Sequence, residues 1–312
     1  MSHARGRIRR ARRLPAALGC VALVLTALLA TACGQAAGAE PAPAGGGSGS
    51  HTIQNKGSDT MVNLALAWSE AFSKTHPELQ VAVTGGGSGT GIAALINGTV
   101  DIANASRAMT AEEIDRARAN GIEPMEFVVA GDAIAVVTNR DNPVNRLSIS
   151  QLSAIFTGQI TNWSALGGEN RPIITLSRET NSGTHVYFLE RVVRQGQKDS
   201  KLIFSPDTLL MPSSEGISSE VRRNPNAIGY DGLGYVTEDQ KVLAISDKDG
   251  GPYVLPSVES VQDGSYPISR PLYMYTAGQP TGAVKEYLDW VMSQQAQQIA
   301  AKLGFVPLGG KP

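Results

Sequence analysis

Gly85-Gly-Gly-Ser-Gly-Thr-Gly91 and Arg178-Glu-Thr-Asn-Ser-Gly-Thr184 decide how this chain folds. Each follows a run of β character, Val81-Ala-Val-Thr84 and Pro172-Ile-Ile-Thr-Leu176, and each opens into apolar residues at helical spacing. Strand, glycine- and hydroxyl-rich turn, then helix is the repeating unit of an α/β fold. Turns of this kind leave N–H groups at the helix start without intrahelical partners and aim them at one point. That arrangement suits a small tetrahedral anion.

Outward from these turns the alternation continues. Leu64, Trp68, Ala71 and Phe72 recur as a helix that stops near His76-Pro77, and Leu79, Val81 and Val83 alternate as a strand. Ile92, Leu95 and Ile96 predict a short helix, residues 100–103 a strand, and Thr110-Ala-Glu-Glu113 a capping box opening a helix that ends at Gly121. Residues 127–129 and 133–137 read as two buried strands. A turn at Asp141-Asn-Pro-Val144 precedes a helix with Leu152, Ile155 and Phe156. Beyond Thr184, Val186, Leu189 and Val193 mark a helix and Ala227-Ile-Gly-Tyr230 a strand. Residues 266–275 form an extended return, and the chain closes with a helix carrying Val284, Tyr287, Leu288 and Val291.

The first 33 residues stand apart. Arg5, Arg7, Arg9, Arg10, Arg12 and Arg13 precede an apolar run from Leu14 to Leu29, which is too short and too broken by Pro15 and Gly19 for a membrane span. Ala30-Thr-Ala-Cys33 ends it, so this segment is expected to be a secretory signal. Small residues before Cys33 resemble a bacterial lipobox, although Ala30 stands where that pattern prefers Leu. Cys20 lies within the signal, so the exported chain keeps Cys33 alone and no internal disulfide can form.

Residues 34–51 are a low-complexity tether. Its Gly45-Gly-Gly-Ser-Gly49 has the same five letters as Gly85-Gly-Gly-Ser-Gly89, so composition alone says nothing; only the second lies between a strand and a helix. The roughly 260 residues that follow suffice for a large core. The whole chain has 27 basic and 28 acidic residues; without the six leader arginines, 21 face 28. A net charge of −7 argues against nucleic acid as a partner and requires an anion to be held by local dipoles and a few placed cations. His51, His76 and His185 have no ligand spacing, so no metal and no cofactor are expected. Ser182 and His185 lack a nucleophile elbow.

Several segments in order carry a family likeness: Gly57-Ser-Asp-Thr-Met61, Gly86-Gly-Ser-Gly-Thr-Gly91, Asp101-Ile-Ala-Asn-Ala-Ser-Arg107, residues 178–184, Ala227-Ile-Gly-Tyr230, Tyr266-Pro-Ile-Ser-Arg-Pro271 and Leu303-Gly-Phe-Val-Pro307. Together they resemble the phosphate-binding lipoproteins of phosphate-specific ABC importers over nearly all of residues 52–312. The resemblance implies a two-lobed α/β fold of the type II periplasmic-binding-protein kind. Each lobe would be a mostly parallel sheet flanked by helices, and crossover strands would join the two. Lobe I would comprise 52–135 and 267–312, lobe II 136–266. It further implies binding without catalysis, extracytoplasmic placement, a lipid such as palmitate on Cys33 holding the chain to a bacterial membrane, a permease partner, and a monomer.

The implied phosphate ligands are Ser58, Thr60 through its hydroxyl, Met61 through its N–H, Ser88, Ser106, Arg107, Arg178, Ser182, Gly183 and Thr184. Read from the residues alone, Ser58, Asp59 or Thr60 also suits a helix N-cap, Ser88 a structural turn, and Arg178 a salt bridge to Glu179. Arg178 offers a planar fork that matches two oxygens of a tetrahedral anion. Some family members carry aspartate where this chain has Arg107; that carboxylate accepts the proton of hydrogen phosphate and rejects fully ionised sulfate. Asp132, on the first crossover strand, is the favoured substitute ahead of Asp59, with an ion pair to Arg107 as its other reading. The alternatives for function are a sulfate- or molybdate-type oxyanion binder and a secreted phosphoester hydrolase.

Overall fold

The structure, a computed structural model, describes residues 52–309. The expectations for the export segment, Cys33 and the tether lie outside them. The strands are β1 (Thr52–Gly57), β2 (Gln80–Thr84), β3 (Ile102–Ala105), β4 (Met125–Asn139), β5 (Arg146–Ser148), β6 (Ile174–Arg178), β7 (Leu209–Met211), β8 (Ala227–Gly232), β9 (Gln240–Val242), β10 (Ala244–Ser246) and β11 (Ser269–Thr276). The helices are α1 (Val62–Ser73), α2 (Ser88–Ile96), α3 (Ala111–Ala119), α4 (Ile149–Phe156), α5 (Gly183–Phe188), α6 (Ser214–Arg223), α7 (Val258–Gln262), α8 (Gly282–Val291) and α9 (Gln294–Lys302). None of the described helices is long and apolar enough to cross a membrane.

The sheet runs β2-β1-β3-β11-β4-β8-β6-β7, with β9 also on β4. Its outer strands pair parallel, β1 with β2 and β3, and β6 with β7 and β8. The central pairs, β11 with β3 and β4, and β4 with β8 and β9, are antiparallel. Parallel pairs need a crossover helix, so α1, α2 and α6 cover the outer strands. The central strands need none, because they carry the chain between two halves.

Two sets of core residues follow from this. One joins Ile53, Trp68, Phe72 and Ile102 to Leu272, Tyr287 and Phe305 from the far end of the chain. The other lies wholly within the middle, from Ala133 to Ile268. In the first, the Trp68 indole N–H donates to the Ala296 carbonyl at 2.8 Å, and Phe72 packs edge-on against Tyr287. In the second, Phe188 and Tyr230 stack with centroids 3.6 Å apart. Buried aromatics at such sites dominate core energetics, and truncating one typically costs about 3–5 kcal/mol.

Three local expectations are corrected. The two strands read at 127–129 and 133–137 are one, β4. Gly131-Asp132 interrupts the apolar pattern because the strand changes neighbours there, from β11 to β8. The helix read through Val193 widens after Phe188 into a π-turn over Leu189–Val193, which nothing in the spacing marks. The chain does not close with α8: α9 follows, its buried positions being the small or polar Ala296, Gln297 and Ala300. Helix α6 was equally faint, because only Ile217 and Val221 give it an apolar face.

Candidate functional site

From the first half, three segments end at one place. β1 finishes at Gly57, whose φ of +146° lets the chain turn directly beneath the Asn104 carbonyl, and the Ser58 N–H donates to that carbonyl at 2.9 Å. A short 3-10 turn, Asp59–Met61, then presents Thr60. The glycine turn after β2 delivers Ser88 as the first residue of α2, and β3 leads into Ser106. The Ser106 N–H donates to Ser88 Oγ at 3.0 Å, and the two hydroxyl oxygens lie 3.2 Å apart.

From the second half, β6 ends at Arg178 and α5 begins at Gly183, with Ser182 as N-cap accepting from the Thr184 N–H at 3.2 Å. Gly183 lies against both serines of the other half. A side-chain carbon there would come within 2.6 Å of Ser106 Oγ and closer still to Ser88 Oγ. The Thr184 and Thr60 hydroxyls lie 2.8 Å apart, 124 residues distant in sequence. Ser58, Thr60, Ser88, Ser106, Ser182 and Thr184 are all buried, none more than 3 % exposed. Hydroxyls seldom gather in a dry interior without a shared polar task.

Around this cluster the halves are fastened together. Asn181 accepts the Gly89 N–H at 3.0 Å and donates to the Gly86 carbonyl at 2.9 Å and to Thr90 Oγ1 at 3.2 Å. Asp59 accepts the Gly86 N–H at 3.0 Å, the Arg178 Nη2 at 2.7 Å and, through its carbonyl, the Tyr235 hydroxyl at 2.6 Å. Beneath the two threonines, Arg270 Nη2 donates to Thr184 Oγ1 at 2.9 Å, to Thr60 Oγ1 at 3.3 Å and to Asp132 Oδ2 at 2.9 Å.

A profile of the PBP superfamily domain matches residues 42–295. The chain belongs to the PBP superfamily. It is 32% identical over 317 residues to the phosphate-binding protein PstS of Pseudomonas aeruginosa, with 96% of each chain covered. It is 33% identical over 286 residues to PstS of Bacillus subtilis strain 168, with 90% of each covered. A Clostridium perfringens crystal structure with bound phosphate superposes with a TM-score of 0.73 at 32% identity, over 83% of this chain and all (100%) of that one. An ABC-type phosphate transport receptor from Vibrio cholerae gives 0.65 at 29%, over 81% and 99%.

Within this PBP-superfamily fold, some expected ligands are differently engaged. The Arg107 guanidinium makes two 2.7 Å bonds to Glu113 and one of 2.9 Å to the Ala108 carbonyl. Burial pushes the Glu113 carboxyl up, but these bonds and the Thr110 N–H outweigh it and hold the group below its ordinary value. The Met61 N–H closes its own turn on the Ser58 carbonyl at 3.0 Å, and its side chain lies in the core. Arg178 is buried and pairs with Asp59 of the other half, not with Glu179; Ser214 Oγ and the Met211 and Pro212 carbonyls take its other donors. Asp132 pairs with Arg270, not Arg107. Burial raises its pKa, with Arg270 pulling the other way.

Arg270, Asn181, Tyr235 and Asp231 escaped the sequence reading as site residues. Arg270 and Asn181 lay inside stretches already singled out, and the crossover position gives the signal for Arg270. It stands directly across from Asp132 in the β11–β4 register. Asp231, beside Arg178, is 1 % exposed, and burial raises its pKa to about 7 against the pull of Arg178 and bonds from Ser214 and the Gly232 N–H.

Proposed function

We propose that the chain captures inorganic phosphate between its two lobes, 52–135 with 267–312 and 136–266, and delivers it to the permease of an ABC importer. One observation carries this: buried hydroxyls from both lobes meet, Thr60 lying 2.8 Å from Thr184, and Ser88 and Ser106 facing the side-chain-free Gly183 next to it. Relatives named for phosphate binding, and a structural neighbour holding phosphate, support phosphate as the ligand of that convergence. Ser58 and Ser182 shape the two turns, and Arg178 joins the site through the Asp59 pair. Since both lobes donate to one ligand, binding and closure are a single equilibrium.

The proposed role makes and breaks no bond. His185 Nδ1 lies 2.9 Å from the Arg178 carbonyl and 3.0 Å from Ser177 Oγ. A carbonyl only accepts, so Nδ1 carries the proton, and burial lowers the imidazole pKa. That ring supports β6 and is not turned to Ser182 as a base. Anchoring through a lipid on Cys33 and a monomeric state complete the proposal. Calorimetric titration of the chain with phosphate and with sulfate tests it, together with the Ser88→Ala/Thr184→Ala variant. Phosphate should bind and sulfate compete poorly, and the double variant should lose at least about tenfold in affinity, as two removed hydrogen bonds imply. Absence of phosphate binding by the parent, or turnover of a chromogenic phosphate ester, would remove the reading.

A further inference from the structure

We infer that Asp231, at the end of β8, takes up a proton as phosphate binds, so that the chain holds anion and proton together. The inference rests on the phosphate reading above and adds a proton to it. Two ion pairs flank the hydroxyl cluster, Asp59 with Arg178 at 2.7 Å and Asp132 with Arg270 at 2.9 Å. Asp231 is a third acid in this region, 1 % exposed, and it has no salt bridge among the described residues. Its donors, the Gly232 N–H at 2.9 Å and the Ser214 hydroxyl, are neutral.

The groups that face Asp231 are Arg178 from β6, Asp132 from β4, Ser214 from α6 and Tyr235 from the turn Leu233–Tyr235. Glu215 of α6 and Asp59 act on the same Tyr235 hydroxyl. Arg178 is the one cation in this set, and Asp59 already holds its Nη2. A buried carboxylate that must share its counter-ion is costly when ionised. Burial accordingly raises the Asp231 pKa to about 7, although Arg178 pulls against it.

Two contacts tie this acid to the proposed ligand site. A side-chain carbon on Gly232, the next residue, would come within 3.1 Å of the Thr60 methyl group. Arg178 Nη1 donates to Ser214 Oγ at 3.1 Å. An anion among the hydroxyls brings further negative charge into the same dry region, and a like charge nearby favours the neutral carboxyl. The proton comes from solvent and lands on an Asp231 oxygen, and no bond within the anion changes. By reciprocity that proton strengthens anion binding by the same factor. The gain is fully present below pH about 7, where the free chain already holds the proton, and is lost as pH rises through the pKa of the phosphate-bound form.

The test is Asp231→Asn in the full chain, a neutral mimic of the protonated acid, with a melting curve to verify folding. Phosphate affinity is measured by calorimetry from pH about 5.5 to about 8.5. Phosphate titrates on its own in this range, but identically for both proteins, so the ratio of parent to variant affinity isolates Asp231. That ratio should fall at least about fivefold as pH rises, the lower end of ordinary coupling between sites. In buffers of different ionisation enthalpy near pH 7, the parent should take up about half a proton more than the variant. A ratio independent of pH, in a folded variant, overturns the inference and leaves the phosphate reading intact. A parent that binds no phosphate at any pH removes that reading and this inference with it. A neutron structure of the phosphate-bound parent near neutral pH decides even if the variant does not fold. Deuterium on an Asp231 oxygen is the expected result, and a bare carboxylate overturns the inference.

Discussion

At the scale of single residues, Gly183 shows how little room the site leaves. Its Cα abuts two serine hydroxyls of the opposite lobe, so a methyl group would hold the lobes apart. Gly183→Ala is predicted to weaken phosphate binding at least about tenfold in calorimetry while leaving the melting temperature nearly unchanged, because α5 tolerates alanine well. Unchanged affinity would mean that the lobes do not meet there in the bound form. Asp231 allows a prediction in pH. Its folded pKa, about 7, lies above the ordinary 3.8, so between those values the folded chain holds a proton that the unfolded chain releases. Its contribution is therefore fully present below pH 3.8, declines as pH rises towards 7, and is lost above it. Asp231→Asn should gain stability relative to the parent as pH rises from 4 to about 7.5 in urea titrations; a difference independent of pH would contradict this. The hydroxyl residues that the structure gathers were singled out in sequence by their place at strand–helix turns, where a helix N-cap and an anion contact call for the same residue types. The partners of the arginines were not, since their ion pairs join residues 119 and 138 positions apart, one across the cleft and one between neighbouring strands.

At the scale of elements, the two glycine- and serine-bearing turns form a clasp between the halves. Asn181 makes three bonds to the turn at Gly86, Gly89 and Thr90. Asn181→Ala is predicted to leave the fold stable but to weaken phosphate several-fold, mostly through faster release, in stopped-flow measurements. A change confined to the association rate would argue against a clasp. Helices with explicit caps were the easiest elements to read. The capping box of α3 is present as expected, with Thr110 accepting from Glu113 and Glu113 accepting from Thr110. Thr110→Ala should cost about 1 kcal/mol in denaturant titration, the usual worth of such a cap. The crossover strand was harder, because Gly131-Asp132 looks like a break until both neighbouring strands are known. The widened turn after Phe188 left no trace in the residue pattern at all.

At the scale of the whole molecule, two cores share one sheet, so a ligand bound between them, as proposed, would couple their unfolding. Phosphate at a hundred times its dissociation constant is predicted to add about 2.7 kcal/mol to unfolding. Calorimetry should then show a single transition that moves upward as one; two transitions, of which phosphate moves one, would mean that the ligand contacts a single lobe. The α/β class was legible because the alternation of periods is dense, and the middle half follows directly from it. The other half was harder, because it is assembled from both ends of the chain. β11 inserts between β3 and β4, and the tail adds a bridge in which Val306 exchanges backbone bonds with Gly131 at 2.7 and 2.9 Å. This sets an order in time. Residues 52–130 emerge before the middle portion, yet their interior lacks Leu272, Tyr287 and Phe305 until the segment after residue 266 joins them. The middle portion can therefore finish first, while residues 52–130 wait in an unfinished state for the segment that follows residue 266.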